Sequence, residues 1–352
     1  MEKIIRNIIL GITAAVVMST VSLSAAAQNT WTEPPVRPGV TALPAPPDRS
    51  IRVGRDDIPQ IYRGGDNTER SIKVDSNVNL SLCVTQGNVK VNGWSRNEIR
   101  VLVDGGSKFW FKVLQKSTKT GEPVWLMVAA AENKNKYGPS GECIWGGEIE
   151  IDVPVNATIN IKGRETTTKI DTVRKVNIST IGGDISLRNI SSGITASAGQ
   201  GDITVEESEG SMMLDCTTGN ILVFEAGPSE IGDTFKAKTN SGEISLQHLE
   251  HRQIEVNSIS GSVAFNGELL PGGSYSLSTS KGSIRMSLPA ASSCNILATY
   301  GYGSFNTEIP IKIATENITE GPIKTVVGTL GKGGDATLKL TSNNGSIGIK
   351  KQ

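Results

Sequence analysis

The sequence predicts an all-β fold: a single-stranded β-helix or β-solenoid with about 18–21 residues per coil, preceded by an irregular β cap. Three observations predict it. A short phrase of glycine, polar residue, apolar, any, apolar returns down the second half of the chain. Apolar pairs return at half that period. The composition suits many short strands and tight turns, with 39 glycines and aromatics at only 5%.

The phrase begins at Gly183-Asp184-Ile185-Ser186-Leu187 and continues from Gly201, Gly219, Gly242, Gly261 and Gly282. Looser copies start at Gly303 and Gly345, and an earlier one at Gly87. Glycine spacings from Gly183 to Gly303 are 18, 18, 23, 19, 21 and 21. A repeat of this length implies stacked units, because one unit cannot bury its apolar face alone. Apolar pairs at Val176/Ile178, Ile185/Leu187, Ile194/Ala196, Ile203/Val205, Met212/Leu214 and Ile221/Val223 step by nine residues. Each coil therefore holds two short strands and two turns. The eight glycines from Gly183 to Gly345 are expected at one turn, where a positive φ suits glycine. Small residues, from Thr180 to Ser342, stand three positions before them, Tyr300 excepted. Short polar residues such as Asp184, Asp202 and Asn220 follow them and can bond the turn backbone.

The rest of the chain divides by composition. Residues 1–27 read as a signal peptide, with Lys3 and Arg6, an apolar run from Ile8 to Met18, and Ala25-Ala26-Ala27 before the expected cut. Residues 28–60 are a linker holding seven of the 15 prolines, expected to be disordered. Residues 61–155 form the N-terminal β region or cap, with an insert at 105–147, and residues 156–352 form the solenoid repeats. Trp94, Trp110, Trp125 and Trp145 lie in the cap region and are expected to cover the open end of the core. The last strand ends in Lys350-Lys351, expected to blunt the other edge.

The chain has four cysteines. Cys83 and Cys143 both lie outside the regular repeats and could pair in an exported protein. Cys216 and Cys294 lie about four coils apart, too far to bridge, and are expected to be buried small residues.

From Ile149-Glu150-Ile151-Asp152-Val153-Pro154 through the repeated glycine phrases, the chain resembles the bacterial exported β-strand-repeat family named "putative adhesin", a domain of unknown function. Gly87-Asn88-Val89-Lys90-Val91-Asn92-Gly93-Trp94 resembles that family's opening strand and turn. The likeness spans about residues 72 to 350. It implies a β-solenoid in the cell envelope and carries no active site to transfer. The insert from Gly105 to Gly147 departs from the pattern.

Lys plus Arg and Asp plus Glu are both 35, so no basic face marks a nucleic-acid partner. A calcium roll needs Gly-Gly-x-Gly-x-Asp in every repeat, and the later turns carry Ser. Glu206, Glu207 and Glu209 read as a solvated loop without basic partners. His248 and His251 read as a surface turn lacking a third metal ligand. No Gly-x-Ser-x-Gly elbow precedes a helix. The expectation is therefore a non-enzymatic, adhesin-like binding or structural module of the envelope. It should need no cofactor and, once the signal is cleaved, have no membrane span. Its expected partner is an envelope polymer or a surface protein, and a monomer is expected. The alternatives are a periplasmic envelope-stress sensor and, less favoured, a carbohydrate-active β-helix enzyme. Location is left between periplasm, cell surface and medium.

Overall fold

The computed structural model describes residues 67–131, 142–317 and 322–352. The signal segment, the proline-rich linker and the polar loop at 133–141 lie outside the described residues. The described residues form 25 strands in one continuous sheet and no helix.

Seven strands build the N-terminal end: β1 (Thr68–Lys73), β2 (Asn79–Trp94), β3 (Glu98–Asp104), β4 (Phe109–Lys116), β5 (Pro123–Ala130), β6 (Ile144–Pro154) and β7 (Thr158–Val173). Regular coils of two strands follow: β8 (Lys175–Gly182) with β9 (Ile185–Ile190), β10 (Ile194–Gln200) with β11 (Ile203–Glu209), and β12 (Met212–Thr218) with β13 (Ile221–Gly227). They continue as β14 (Thr234–Ser241) with β15 (Ile244–Leu249), β16 (Gln253–Ser260) with β17 (Val263–Asn266), and β18 (Ser274–Lys281) with β19 (Ile284–Leu288). The C-terminal end holds β20 (Cys294–Tyr300), β21 (Phe305–Thr307), β22 (Ile311–Asn317), β23 (Lys324–Leu330), β24 (Thr337–Asn344) and β25 (Ile347–Lys351).

The two strands of a coil lie on opposite walls, and like strands pair in parallel from coil to coil. One wall runs β8, β10, β12, β14, β16, β18 in order and the other β9, β11, β13, β15, β17, β19. β2 and β7 are long enough to cross both walls. Alternation places every second side chain inside. Val176, Ile194, Met212, Phe235, Ile254 and Tyr275 stack in one buried row, and Ile185, Ile203, Ile221, Ile244, Val263 and Ile284 face them from the other wall. Each such side chain contributes about 1.5–3 kcal/mol of burial.

The glycines are required mainly by how closely the coils approach. A Cβ added at Gly201 would stand 2.5 Å from the Gly183 carbonyl oxygen, and at Gly219, Gly242 or Gly345 closer still to the preceding glycine of the row. Gly183 to Gly261 also take positive φ, whereas Gly282, Gly303 and Gly345 keep the close approach without it.

Two hydrogen-bond ladders run along this corner. Inside, the side chains of Cys216, Thr239, Ser258, Thr279 and Ser342 donate to the carbonyls of Gly201, Gly219, Gly242, Gly261 and Gly282, at 2.8–3.3 Å. Outside, Asp184, Asp202 and Asn220 each accept from the backbone N–H of the next coil's equivalent residue at 2.7–2.9 Å. Ser262, Ser283 and Ser346 continue that ladder toward Ser304. The small residues before the glycines are thus inward donors as well as space savers.

Both ends depart from simple stacking. β2 lies between β7 and the outer coil of β5 and β6, although β5 and β6 come later in sequence than β2. At the other end β24 sits between β18 and β20, and β25 between β19 and β21. The final segment therefore fills a slot two strand spacings wide, ~9.6 Å. This corrects the expectation for the last strand: Ile347–Ile349 of β25 are paired on both sides, and Lys350 and Lys351 pair with β19 just past the end of β21. The ends of the described stack are closed by antiparallel strands instead: β4 on β5, β3 on β6 and β1 on β3 at one end, β23 on β20 and β22 on β23 at the other.

Trp110 and Trp125 do not cap the core. In β4, alternation turns Phe109 and Phe111 inward, edge to face with centroids 5.9 Å apart, and turns Trp110 outward. Trp125 is likewise outward on β5. Trp94 braces the turn into β3 by donating from Nε1 to Glu98 O at 2.7 Å.

Candidate functional site

The structure places the eight glycines in one corner row, where they serve the scaffold. Cys83 and Cys143 form a disulfide with Cα atoms 4.4 Å apart, tying β2 to the residue before β6. Cys216 and Cys294 are free and buried. Burial pushes the Cys294 thiol up to about 11, which keeps it an unreactive thiol.

The opposite corner holds a row that the sequence reading missed. Thr172, Asn189, Glu207, Glu225 and His248 are non-glycine residues with φ of +46 to +58°. Each sits where two consecutive side chains point outward before the next turns in, as with Asp171 and Thr172 before buried Val173. The sequence signal is an inward residue three, not two, positions after each pair: Ile190, Ser208, Ala226 and Leu249. At the start of the row Asp171 accepts from Thr172, Asn189 and Arg188 at 2.7–3.2 Å. Partial burial raises this carboxyl's pKa, but those hydrogen bonds outweigh it and hold Asp171 below the usual carboxylate range.

Glu207, Glu209, Glu225, Glu250 and His248 border a 680 Å³ concavity along this corner. The glutamates lie on or beside strands rather than in one loop. Arg188 stands opposite Glu206 in register, but Asp171 takes its guanidinium at 2.8 Å. His251 corrects the surface-turn reading. It is fully buried, its Nε2 lies 2.9 Å from Gly210 O, and its ring packs on Phe235 at 5.8 Å. Among the described residues no group of three His, Cys, Asp or Glu side chains could hold a metal, and no helix is long and apolar enough to cross a membrane.

The wall beginning at β4 presents a different surface. Trp110 and Trp125 are 53% and 44% exposed, on neighbouring antiparallel strands. Both point outward, with Lys112 and Met127 between them. Trp125 Nε1 donates to Ser81 Oγ at 3.2 Å. Beyond Ser81 the wall carries Asn160, Asn177 and Thr195 in one register row and Lys162, Ser179 and Ser197 in the next. A 430 Å³ groove runs over these rows.

The Toastrack DUF4097 family profile matches residues 68–350. The chain belongs to that family. Among solved structures, this Toastrack chain is similar to a "putative adhesin" from Parabacteroides distasonis, at 11% identity and a TM-score of 0.42, covering 82% of this chain and 98% of that one. It is also similar to a "putative adhesin" from Bacteroides fragilis, at 13% identity and a TM-score of 0.39, covering 83% of this chain and all of that one. No curated protein matches it. The family match carries the assignment.

Within this Toastrack fold, the phrases quoted from the sequence define the scaffold corner, whereas the exposed tryptophans fall inside the insert that departs from the pattern. Their signal was a Phe-Trp-Phe alternation in β4. It shows which ring faces water only once the wall's inward side is known.

Proposed function

We propose that this chain is an exported, non-enzymatic binding module of the cell envelope, adhesin-like in using a rigid wall rather than a catalytic cleft. The observation that carries the reading is the pair of exposed indoles beside a shallow, largely apolar groove bordered by side-chain amides and hydroxyls. Large exposed aromatics among polar groups are characteristic of binding surfaces. Export is supported by the signal-like sequence of residues 1–27 and by a cysteine pair outside the repeats, since disulfides persist in oxidising compartments.

The test is retention. The purified chain, immobilised on beads, is challenged with envelope polysaccharide, peptidoglycan, envelope proteins and host glycans. Retention of at least one is expected, and it should weaken when Trp110 and Trp125 are both changed to Ala. Absence of retention on every fraction would overturn the reading.

A further inference from the structure

The binding-module reading leaves the chemistry of the ligand open, and the wall itself narrows it. We propose that the outer face from Trp110 and Trp125 toward Thr195 binds a neutral oligosaccharide chain laid across the strands. This rests on the reading above and specifies its ligand.

The floor is regular. Met127, Ser81, Asn160, Asn177 and Thr195 are register partners across five successive strands. At ~4.8 Å per strand they span roughly 19 Å. Beside them lie Lys162, Ser179 and Ser197; between the rows Leu82, Ile161 and Ile178 border the groove while their side chains are buried in the core. The wall thus offers hydroxyls and amides at a fixed pitch around a groove whose exposed surface is mostly carbon.

The polar groups are oriented and partly unspent. Asn160 Nδ2 donates to Leu80 O at 3.4 Å, and Asn177 Nδ2 donates to Asn160 Oδ1 at 2.9 Å. These bonds fix both amide planes. Ser179, Thr195 and Ser197 have no side-chain partner among the described residues, so their hydroxyls can donate and accept. At the head of the row, the Trp125–Ser81 hydrogen bond holds one indole beside the floor. An indole face carries negative quadrupole charge and attracts the weakly positive C–H groups on the flat side of a sugar ring.

Other occupants fit less well. Lys162 is the one charged side chain lining the groove, and Lys112 at its margin is paired with Glu142 at 2.9 Å. A single lysine is no track for a polyanion, which needs a basic groove. A peptide adding as a strand needs an open edge, but β2, β5, β7, β8 and β10 are paired on both sides, and the open edge of β4 lies outside the groove. An uncharged ligand with hydroxyls at its edges and apolar C–H faces matches what remains.

The experiment follows intrinsic tryptophan emission of the same purified chain. It is titrated with a glucose hexasaccharide, an N-acetylglucosamine hexasaccharide and a uronic-acid hexasaccharide. Saturable change with a neutral probe is expected, with the uronic-acid probe binding more weakly. Trp125→Ala should weaken neutral binding about tenfold, as removal of an aromatic hot spot does, and Trp125→Phe should restore part of it. Because Trp125→Ala removes a reporter, its affinity is read by calorimetry, with the melting temperature as a check of folding. Thr195→Ala with Ser197→Ala should weaken binding several-fold and leave the fold intact. No saturation with either neutral probe, or preference for the uronic-acid probe, would overturn the inference. If the chain is still retained by an envelope fraction, the binding-module reading survives that failure. If nothing retains it, both fall.

Discussion

Ala198 interrupts the inner ladder. Its equivalents Cys216, Thr239, Ser258, Thr279 and Ser342 each donate to a glycine carbonyl, and Ala198 has no donor to offer Gly183. Ala198→Ser should therefore add about 0.5–1.5 kcal/mol of stability, read from the denaturation midpoint at constant m-value. Thr168 poses the converse case. It is fully buried, its hydroxyl has no partner, and it stacks between Val89 and Ile185. Thr168→Val removes an unsatisfied oxygen without changing shape and should stabilise by ~1 kcal/mol in the same assay. His251 gives a pH signature. Burial depresses its pKa below the ordinary histidine value, opposed by the bond to Gly210 O and by Asp233 and Glu250. The unfolded chain then binds a proton at a pH where the folded chain does not. This contribution to stability is fully present above about pH 6.5 and is lost as pH falls below it. Between pH 8 and pH 5 the wild type should lose more stability than His251→Phe, whatever their absolute difference. Equal slopes would rule the residue out as the source. Sequence reading paired His251 with His248 by spacing. Three residues apart they face opposite ways by alternation alone, and the positive φ at His248 decides that His248 is outside and His251 inside, a backbone feature without a letter of its own.

At the scale of the strand and the coil, much was legible. The half-period pairs Val176/Ile178 through Ile221/Val223 are buried where their spacing placed them, because a period of two leaves a strand only one way to hide both. The cap was less legible. Its order depends on which strand lies beside which, and β2 has neighbours on each side that come later in sequence. The Cys83–Cys143 link spans 60 residues and ties β2 to the outer coil. Chain-entropy arguments assign such a loop roughly 4 kcal/mol. Cys83→Ser with Cys143→Ser should lose up to about that amount. Amide exchange should accelerate first in β3 to β6, while β12 to β17 stay protected. Uniform acceleration would show instead that cap and coils unfold as one. The candidate site was the least legible. Trp110 and Trp125 stood out by type, but their exposure follows from β4 pairing outside β5, which no local pattern announces.

For the whole molecule, the two intercalated ends matter most. A plain solenoid is a row of near-neighbour contacts and can lose a terminal coil with little harm to the rest. Here, removing residues 332–352 would take β24 and β25 from between strands that remain. The truncated chain should fail to form a shorter stack: β20 to β23 should become protease-sensitive, and the melting transition should broaden or fall by well over ten degrees. A small change would mean that β20 can drop directly onto β18. Sequence reading stacked the copies in chain order because each phrase resembles its neighbour equally. The order of the last two is set by the β22–β23 hairpin, which sends the chain past its final slot and back. The same threading bears on mechanical load. Force applied at Gln352 cannot unzip the C-terminal coil one hydrogen bond at a time from a free edge. It must slide β24 and β25 lengthwise out of a slot bonded on both flanks, loading both rows of bonds together. A chain pulled from that end would resist shear through its last-threaded coil, not its outermost one.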